Sequence, residues 1–263
     1  MQKKSVYIIC YNEERKIAAA IQSVAGWADE IIVADSNSTD NTVQKAESLG
    51  AKVVQIPFEN FGKLRNSAIA YCSNEWIFSL DSDERCTEKA KVEMDEIINK
   101  HNNTKPCAYF IPRKNFLLGK WVNHSGYFPD YRQPQLFKKG TLKYTEDAVH
   151  EVFLSDTEPG YLKEAILQFP FENLQQMLSK ADRYSTLGAK KLLGKKKGGI
   201  GKGMLHGIAS VFQCYFLKKG FLDGRCGIAI AVYNFVYTFY KYAKLAEMES
   251  RWDSLDSFID KRQ

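Results

Sequence analysis

The sequence predicts an α/β protein with a doubly wound, mostly parallel sheet and helices on both faces, followed by a C-terminal region of amphipathic helices. Short apolar runs alternate with helical patterns over roughly the first hundred residues, as in parallel sheets. Polar segments follow three of those runs directly. From about residue 171 the chain consists mainly of helix-forming residues and contains a lysine cluster. We therefore expect two regions, residues 1–170 and 171–263.

Strands and helices are expected to alternate in order along the first region. In the first helix, Ile17, Ile21 and Val24 recur at spacings of four and three and form one apolar stripe. The second helix is expected to end near residue 49, because Gly50 is well placed as its C-terminal stop. The predicted strands span residues 6–10, 30–34, 52–56, 76–80 and 108–112, and the other predicted helices span about 13–25, 61–71 and 87–104.

The composition is that of a folded protein without a disulfide framework. Of the 263 residues, 44% are hydrophobic and 26% are charged, which excludes wholesale disorder. The six cysteines are scattered without a C-x-x-C pair, which indicates reduced thiols in a cytosolic setting and argues against a structural zinc site. The first apolar run, residues 5–10, is too short for a signal-peptide core and is interpreted as the first strand.

Polar segments follow the strands at the edge of the sheet where ligands bind. In doubly wound sheets, ligands lie at the carboxyl ends of the strands. Residues 11–14, 35–42 and 81–84 all lie at such ends. Because three separate strands contribute, we expect these segments to meet at one site.

The segment Asp81-Ser82-Asp83 predicts a divalent metal site. Side chains at positions i and i+2 of a strand lie on the same side, so the two carboxylates can converge. Mg²⁺ and Mn²⁺ favour oxygen ligands and often keep positions for substrate phosphates. The alternative is an acidic loop in which Asp83 or Glu84 caps the next helix.

Asp35 and Arg65 are candidates for binding the nucleoside and the diphosphate, respectively, of a nucleoside diphosphate. Neither G-x-G-x-x-G after the first strand nor G-x-x-x-x-G-K-[ST] is present, so no Rossmann site or P-loop is indicated. A carboxylate can accept hydrogen bonds from a base or ribose, and a fixed guanidinium suits a diphosphate. The alternative for Arg65 is a solvated helix face.

The C-terminal region favours contact with a membrane surface. Residues 190–202 contain six lysines and no acid, and aromatic-rich apolar runs follow. The longest uncharged run, residues 226–240, is shorter than the roughly 20 residues of a membrane-spanning helix. Amphipathic helices with lysines beside them lie instead in the interface of an anionic leaflet. The alternative is a small helical subdomain. Nucleic acid is not expected as a partner, because no binding motif for it accompanies the lysines.

Four motifs together carry a resemblance to a known enzyme family. They are, in chain order, Tyr11-Asn12-Glu13-Glu14, Asp35-Ser36-x-Ser38-Thr39-Asp40-x-Thr42, Gly62-x-x-Arg65-Asn66 and Asp81-x-Asp83-Glu84. In this order they resemble the family-2 inverting glycosyltransferases of the GT-A fold. Further motifs are Tyr127-x-Pro129-Asp130, Leu136-Phe137, Val149-His150-Glu151 and residues 215–224. These resemble the subgroup that adds glucose to the inner core of lipopolysaccharide, and they extend the similarity over nearly the whole chain.

The resemblance implies a UDP-sugar donor, a Mg²⁺ or Mn²⁺ ion and a lipid-linked saccharide acceptor. It implies that Asp83 is the principal metal ligand, that Asp81 is shared between ribose and metal, and that His150 completes the metal shell or binds a phosphate. An enzyme with this acceptor is expected in the cytoplasm, peripheral on the anionic inner face of the inner membrane. The residues implied for the donor nucleotide are Tyr11, Asn12, Glu13, Asp35, Arg65 and Asp81.

An inverting transfer also needs a general base for the acceptor hydroxyl. The Val-His-Glu motif of the subgroup makes Glu151 the first candidate, while the pair Glu146-Asp147 makes Asp147 the rival. Two other functions stay open at this point. One is a sugar-phosphate nucleotidyltransferase, which lacks support because residues 11–14 replace its glycine-rich first loop. The other is a membrane-peripheral protein that binds sugar nucleotides without transferring them.

Overall fold

The central sheet is built from apolar strands whose alternate residues enter two separate cores. In strand β1 (Lys4–Cys10) all seven residues are buried. Val6 and Ile8 lie in one core, and Tyr7 and Ile9 lie in the other. Since neighbouring residues of a strand point to opposite faces, both faces of the sheet are covered.

The computed structural model describes residues 2–102, 105–145 and 152–249. The further strands in this part of the chain are β2 (Glu30–Asp35), β3 (Lys52–Gln55), β4 (Trp76–Asp81), β5 (Glu84–Arg85), β6 (Ala108–Phe110), β7 (Arg113–Leu117), β8 (Lys120–Val122), β9 (Pro134–Lys138), β10 (Leu142–Tyr144), β11 (Phe153–Ser155), β12 (Gly160–Tyr161) and β13 (Ile166–Gln168). The α-helices are α1 (Ile17–Gln22), α2 (Thr42–Ser48), α3 (Phe61–Tyr71), α4 (Glu88–Asn99), α5 (Leu174–Leu192), α6 (Ile200–Val211) and α7 (Arg225–Glu249).

Seven strands form the central sheet in the order β12-β6-β9-β4-β1-β2-β3. Strands β4, β1, β2 and β3 are parallel to one another, and β12 is parallel to β6. Strand β9 lies antiparallel between β6 and β4. The predicted α/β class, with a mostly parallel sheet and a helical C-terminal region, is therefore confirmed.

The chain divides into two compact units. The first contains residues 1–116 and 129–170, and the second contains residues 117–128 and 171–263. In the second unit, a π-helical turn (Phe212–Leu217) and a 3₁₀ turn (Gly220–Asp223) connect α6 to α7. Among the helices of the described residues, none has the length and hydropathy needed to cross a bilayer.

Candidate active site

Two carboxylates lie at the same edge of the sheet, on either side of strand β1. Asp35, the last residue of β2, pairs in register with Cys10, and Asp81, the last residue of β4, pairs with Ile9. The carboxyl ends of three neighbouring parallel strands therefore meet where the sequence predicted a ligand site.

Hydrogen bonds join the segments that follow β1 and β2. The backbone N–H of Asn12 donates to Oγ of Ser38 at 2.8 Å, and Oδ1 of Asn12 accepts from the backbone N–H of Thr39 at 2.8 Å. The backbone N–H of Glu13 donates to Oγ1 of Thr42 at 2.8 Å. Asn12 has a φ of +52°, in the left-handed region that asparagine tolerates better than most residues. The structure thus brings together the predicted residues Asn12 and Glu13 and the segment after Asp35.

The start of the first helix differs from the sequence prediction. Helix α1 begins at Ile17 rather than near residue 13, and it ends at Gln22. The backbone N–H groups of Glu13 and Glu14 donate to side chains of the segment after β2. Tyr11, a further predicted donor residue, is 56% exposed at the start of this segment.

Asp35 is completely buried and orders the turn that follows it. Its Oδ2 accepts from the backbone N–H of Ser38 at 2.8 Å, and its Oδ1 accepts from Oγ of Ser38 at 2.5 Å. The thiol of Cys10 lies 3.4 Å from the same Oδ1. Burial, and then the charge of Asp35, raise the pKa of Cys10, so the thiol remains a neutral donor.

Arg65 and Asp81 form an ion pair at this edge. Nη2 of Arg65 lies 2.9 Å from Oδ1 of Asp81, and Nη1 donates to Oγ of Ser79 at 3.0 Å. Arg65 is only 4% exposed, so the alternative of a solvated helix face is wrong. Burial alone would raise the pKa of Asp81, but Arg65 and then Arg113 outweigh it and hold that pKa below its usual range.

Glu84 lies in the core behind Asp81 and supports it. Its Oε2 accepts from the backbone N–H of Asp81 at 2.9 Å and from Nε2 of Gln135 at 2.8 Å. Its Oε1 accepts from Nε of Arg113 at 2.5 Å. Burial raises the pKa of Glu84, the charge of Arg113 opposes this, and the negative charges of Asp81 and Asp83 add to it.

The sequence prediction missed this supporting role of Glu84. The alternative in which Asp83 or Glu84 caps the next helix is also wrong, because Oγ1 of Thr87 accepts from the backbone N–H of Ala90 at the start of α4. The only sign of this role in the sequence was an acidic residue placed just after a buried strand, where a buried carboxylate needs a basic partner. That this partner is Arg113 depends on the tertiary structure.

Asp81 and Asp83 are the two carboxylates at this edge that could hold a metal jointly with a substrate. Asp83 is half-buried, and its Oδ1 lies 3.4 Å from Nε2 of Gln168. No group of three or more His, Cys, Asp or Glu residues that could hold a metal occurs in residues 2–102, 105–145 and 152–249. Mg²⁺ sites commonly use one or two carboxylates together with substrate phosphates. The two aspartates fit that kind of site.

The remaining predicted site residues lie in a segment outside the described residues. These are Asp147, His150 and Glu151, together with Glu146. The residues on either side of this segment are paired, because the backbone N–H of Thr145 donates to the backbone oxygen of Val152 at 2.7 Å.

The motif on α3 fixes the chain just before that segment. Asn66 accepts from the backbone N–H of Tyr144 at 2.9 Å and donates to the backbone oxygen of Tyr144 at 2.8 Å. A Cβ atom added to Gly62 would overlap the backbone oxygen of Thr145. Gly62 and Asn66 thus hold the end of β10, while Arg65 of the same helix pairs with Asp81. The sequence prediction had given Gly62 and Asn66 no separate role.

Comparisons with known proteins agree with the geometry. The sequence profile of the family described as "Glycosyl transferase family 2" matches residues 5–166. An uncharacterized glycosyltransferase of Rickettsia bellii is 32% identical over 94% of this chain and 86% of its own length. The lipopolysaccharide core biosynthesis glycosyltransferase LpsC of Rhizobium meliloti is 26% identical over 92% of this chain and 91% of its own.

Two solved structures show partial similarity. Glucosyl-3-phosphoglycerate synthase from Mycobacterium tuberculosis, crystallised with Mn²⁺, UDP and glucosyl-3-phosphoglycerate, is 28% identical over 44% of each chain, with a TM-score of 0.34. TarS of S. aureus is 17% identical over 96% of this chain and 93% of its own, with a TM-score of 0.48.

Proposed function

Because the chain belongs to glycosyl transferase family 2, we propose that it is a metal-dependent inverting enzyme that transfers a hexose, glucose from a UDP-sugar, to a lipid-linked acceptor. The observation that carries the proposal is the ion pair between Arg65 and Asp81 at the edge where the segments after β1 and β2 are joined. A fixed guanidinium beside an ionised carboxylate suits a sugar diphosphate bound with a divalent cation.

The donor nucleotide lies against the segments after β1 and β2 in this proposal. Tyr11, Asn12 and Glu13 line one side of the nucleotide, and Asp35 holds the turn opposite them. Arg65 approaches the uracil or the diphosphate. Because hydrogen bonds already fix these segments relative to each other, little ordering is needed on binding.

Asp83 is the principal ligand for Mg²⁺ or Mn²⁺, and Asp81 is shared between the metal and the ribose. His150 would complete the metal shell. When bound, the cation neutralises the charge that develops on the departing nucleoside diphosphate. The low pKa of Asp81 keeps its carboxylate ionised at neutral pH and therefore available to a cation.

The general base takes the proton of the acceptor hydroxyl as that oxygen attacks the anomeric carbon. Such a base contributes about 10²–10⁴-fold to the rate. We assign this role to Glu151, with Asp147 as the second candidate. Glu151→Gln is expected to retain UDP binding and lose most turnover, whereas full activity of this variant would move the role to Asp147.

The acceptor is a saccharide on the lipopolysaccharide inner core, and the enzyme is peripheral on the cytoplasmic face of the inner membrane. The similarity to LpsC over most of both chains supports the core saccharide. The lysine cluster of residues 190–202 supports an anionic membrane surface as a partner.

A thermal-shift screen and a transfer assay test the donor and the metal together. UDP-, GDP- and CDP-sugars are compared with and without Mn²⁺, and transfer is then measured to lipopolysaccharide with a truncated core. We expect stabilisation by a UDP-sugar only with the metal, and loss of both stabilisation and transfer in Asp83→Asn. Glu96→Gln, which removes an exposed ion pair with Lys100, is the control and should behave as the parent protein. Transfer that survives both chelation and Asp83→Asn would refute the metal mechanism.

A further inference from the structure

Helix α6 points its glycines inward and its large apolar side chains outward. Gly203 and Gly207 are buried against α7, where added Cβ atoms would lie 2.8 Å from the backbone oxygen of Phe239 and 2.9 Å from Cδ2 of Phe235. On the same helix, Leu205 is 72% exposed. A helix that packs in water normally buries its large residues, so this arrangement needs another explanation.

Large exposed apolar residues also follow α6 along the chain. We define the α6 surface as the exposed large apolar residues of α6, of the two turns that follow it and of the start of α7. It adjoins an apolar groove of about 270 Å³ between the end of α6 and α7. Soluble proteins rarely expose contiguous apolar patches larger than a few hundred Å² unless the patch binds something. The residues of the α6 surface are Ile200, Met204, Leu205, Ile208, Phe212, Phe216, Leu217, Phe221, Leu222, Ile228 and Val232.

The sequence around this surface is almost free of acidic residues. Between residues 183 and 246 the only acid is Asp223. Asp223 is buried and accepts hydrogen bonds from the backbone N–H of His124 and from Oγ of Ser125. The same stretch contains twelve basic residues: Arg183, Lys190, Lys191, Lys195, Lys196, Lys197, Lys202, Lys218, Lys219, Arg225, Lys241 and Lys244.

The positive charge of the residues around the α6 surface favours a negatively charged partner. A second copy of the chain would bring two strongly basic surfaces together, which electrostatic repulsion opposes. An anionic lipid bilayer offers negative headgroups for the lysines and acyl chains for the apolar side chains.

We propose that the α6 surface lies in the interface of an anionic bilayer, with its aliphatic and phenylalanine side chains among the acyl chains. The proposal rests on the proposed function only in that a lipid-linked acceptor brings the enzyme to a membrane. It also changes which residues are expected in the lipid. Phe235 and Phe239 belong to the aromatic-rich apolar runs after the lysine cluster, but they pack against Gly207 and Gly203 of α6.

Vesicle co-sedimentation of the 263-residue protein tests the proposal without donor or acceptor. We expect binding to vesicles of phosphatidylcholine with phosphatidylglycerol, weak binding to phosphatidylcholine alone, and a fall in binding as salt rises. Leu205→Asp with Ile208→Asp should weaken binding at least ten-fold. The matched control is Val92→Asp on α4, an aliphatic residue with 59% exposure in the first unit, which should bind as the parent protein does.

A second variant measures the electrostatic part. Each basic residue near an anionic leaflet contributes about 1 kcal/mol, about five-fold in affinity, so replacing Lys195, Lys196 and Lys197 by Gln should weaken binding about a hundred-fold. If the aspartate variants lose their circular dichroism spectrum, Leu205→Gln with Ile208→Gln takes their place.

Two results would overturn the proposal. One is unchanged vesicle binding in the folded α6 variants. The other is a dimer in sedimentation equilibrium that the Leu205 and Ile208 substitutions dissociate. Because vesicle binding is measured without sugar transfer, neither result bears on the glycosyltransferase reaction, and an inactive enzyme that still binds vesicles would refute only the proposed function.

Discussion

Nε of Arg113 donates to Oε1 of Glu84 at 2.5 Å, and both side chains are buried behind Asp81. Glu84 in turn accepts from the backbone N–H of Asp81. Strand β7 is thereby connected, through one buried ion pair, to the turn that carries the two candidate metal ligands. The two candidate metal ligands are therefore positioned by a buried ion pair in the core behind them.

Arg113→Met should lower the free energy of unfolding by about 3–5 kcal/mol at neutral pH, because it leaves the carboxylate of Glu84 buried without its partner. Without Arg113 the pKa of Glu84 in the folded protein rises further. In the folded variant Glu84 then keeps its proton up to a higher pH than it does in the unfolded chain. Stability is therefore lost as pH rises from the pKa of Glu84 in the unfolded state through its pKa in the folded state. Urea unfolding at pH 5 and pH 7.5 should show the larger loss at pH 7.5. An equal loss at both values would contradict this account.

The ion pair between Arg65 and Asp81 should stabilise the protein at neutral pH and lose this effect as pH falls. This is the opposite of the pH dependence expected for Arg113→Met. The pKa of Asp81 is depressed in the folded protein, so its contribution is present above the unfolded value of about 3.9 and is lost as pH falls through the folded pKa. Asp81→Asn should therefore be less stable than the parent protein between pH 6 and 8, and the difference should shrink progressively as pH falls below about 4. Denaturant unfolding across this range measures it. A difference that persists in acid would assign the effect to packing instead.

Gly62→Ala should disturb the chain that leads into residues 146–151. The added Cβ would overlap the backbone oxygen of Thr145, so the end of β10 must shift, at a cost of about 1–3 kcal/mol. Thermal and urea unfolding measure the loss. Gly201→Ala on α6 is the matched control, since nothing lies within 4 Å of its added Cβ, and alanine there should stabilise the helix by up to about 1 kcal/mol. Equal stability of the two variants would refute the role of Gly62.

Local patterns in the sequence were sufficient to place Asp81 and Asp83 at the end of a buried strand and Arg65 on the helix that precedes this strand. Strand and helix periods are properties of neighbouring residues, and the order of parallel strands brings their ends together. The partner of a buried charge is not local. Arg113 reaches Glu84 only because β7 and the turn after β4 are adjacent in space, which no sequence period encodes.

The face of α6 that packs on α7 could not be predicted from the sequence for a related reason. Apolar periodicity identifies large residues as the buried face, yet here Gly203 and Gly207 determine which face packs on α7. Close backbone approach at glycine competes with burial of large side chains, and periodicity measures only the second.

Asn12 offers a test of how firmly the segments after β1 and β2 are held together. Asn12→Gly keeps the left-handed backbone and loses the hydrogen bond from the backbone N–H of Thr39, at a cost of about 0.5–1.5 kcal/mol. Asn12→Ala loses the same bond and also places alanine at positive φ, so it should be less stable than Asn12→Gly by about 1 kcal/mol. Urea unfolding ranks the three proteins, and calorimetry with a UDP-sugar should rank their affinities in the same order, since the proposed donor site contains both segments. Equal stability of the two variants would show that the backbone at Asn12 is unstrained and would leave the hydrogen bond to Thr39 as the whole effect.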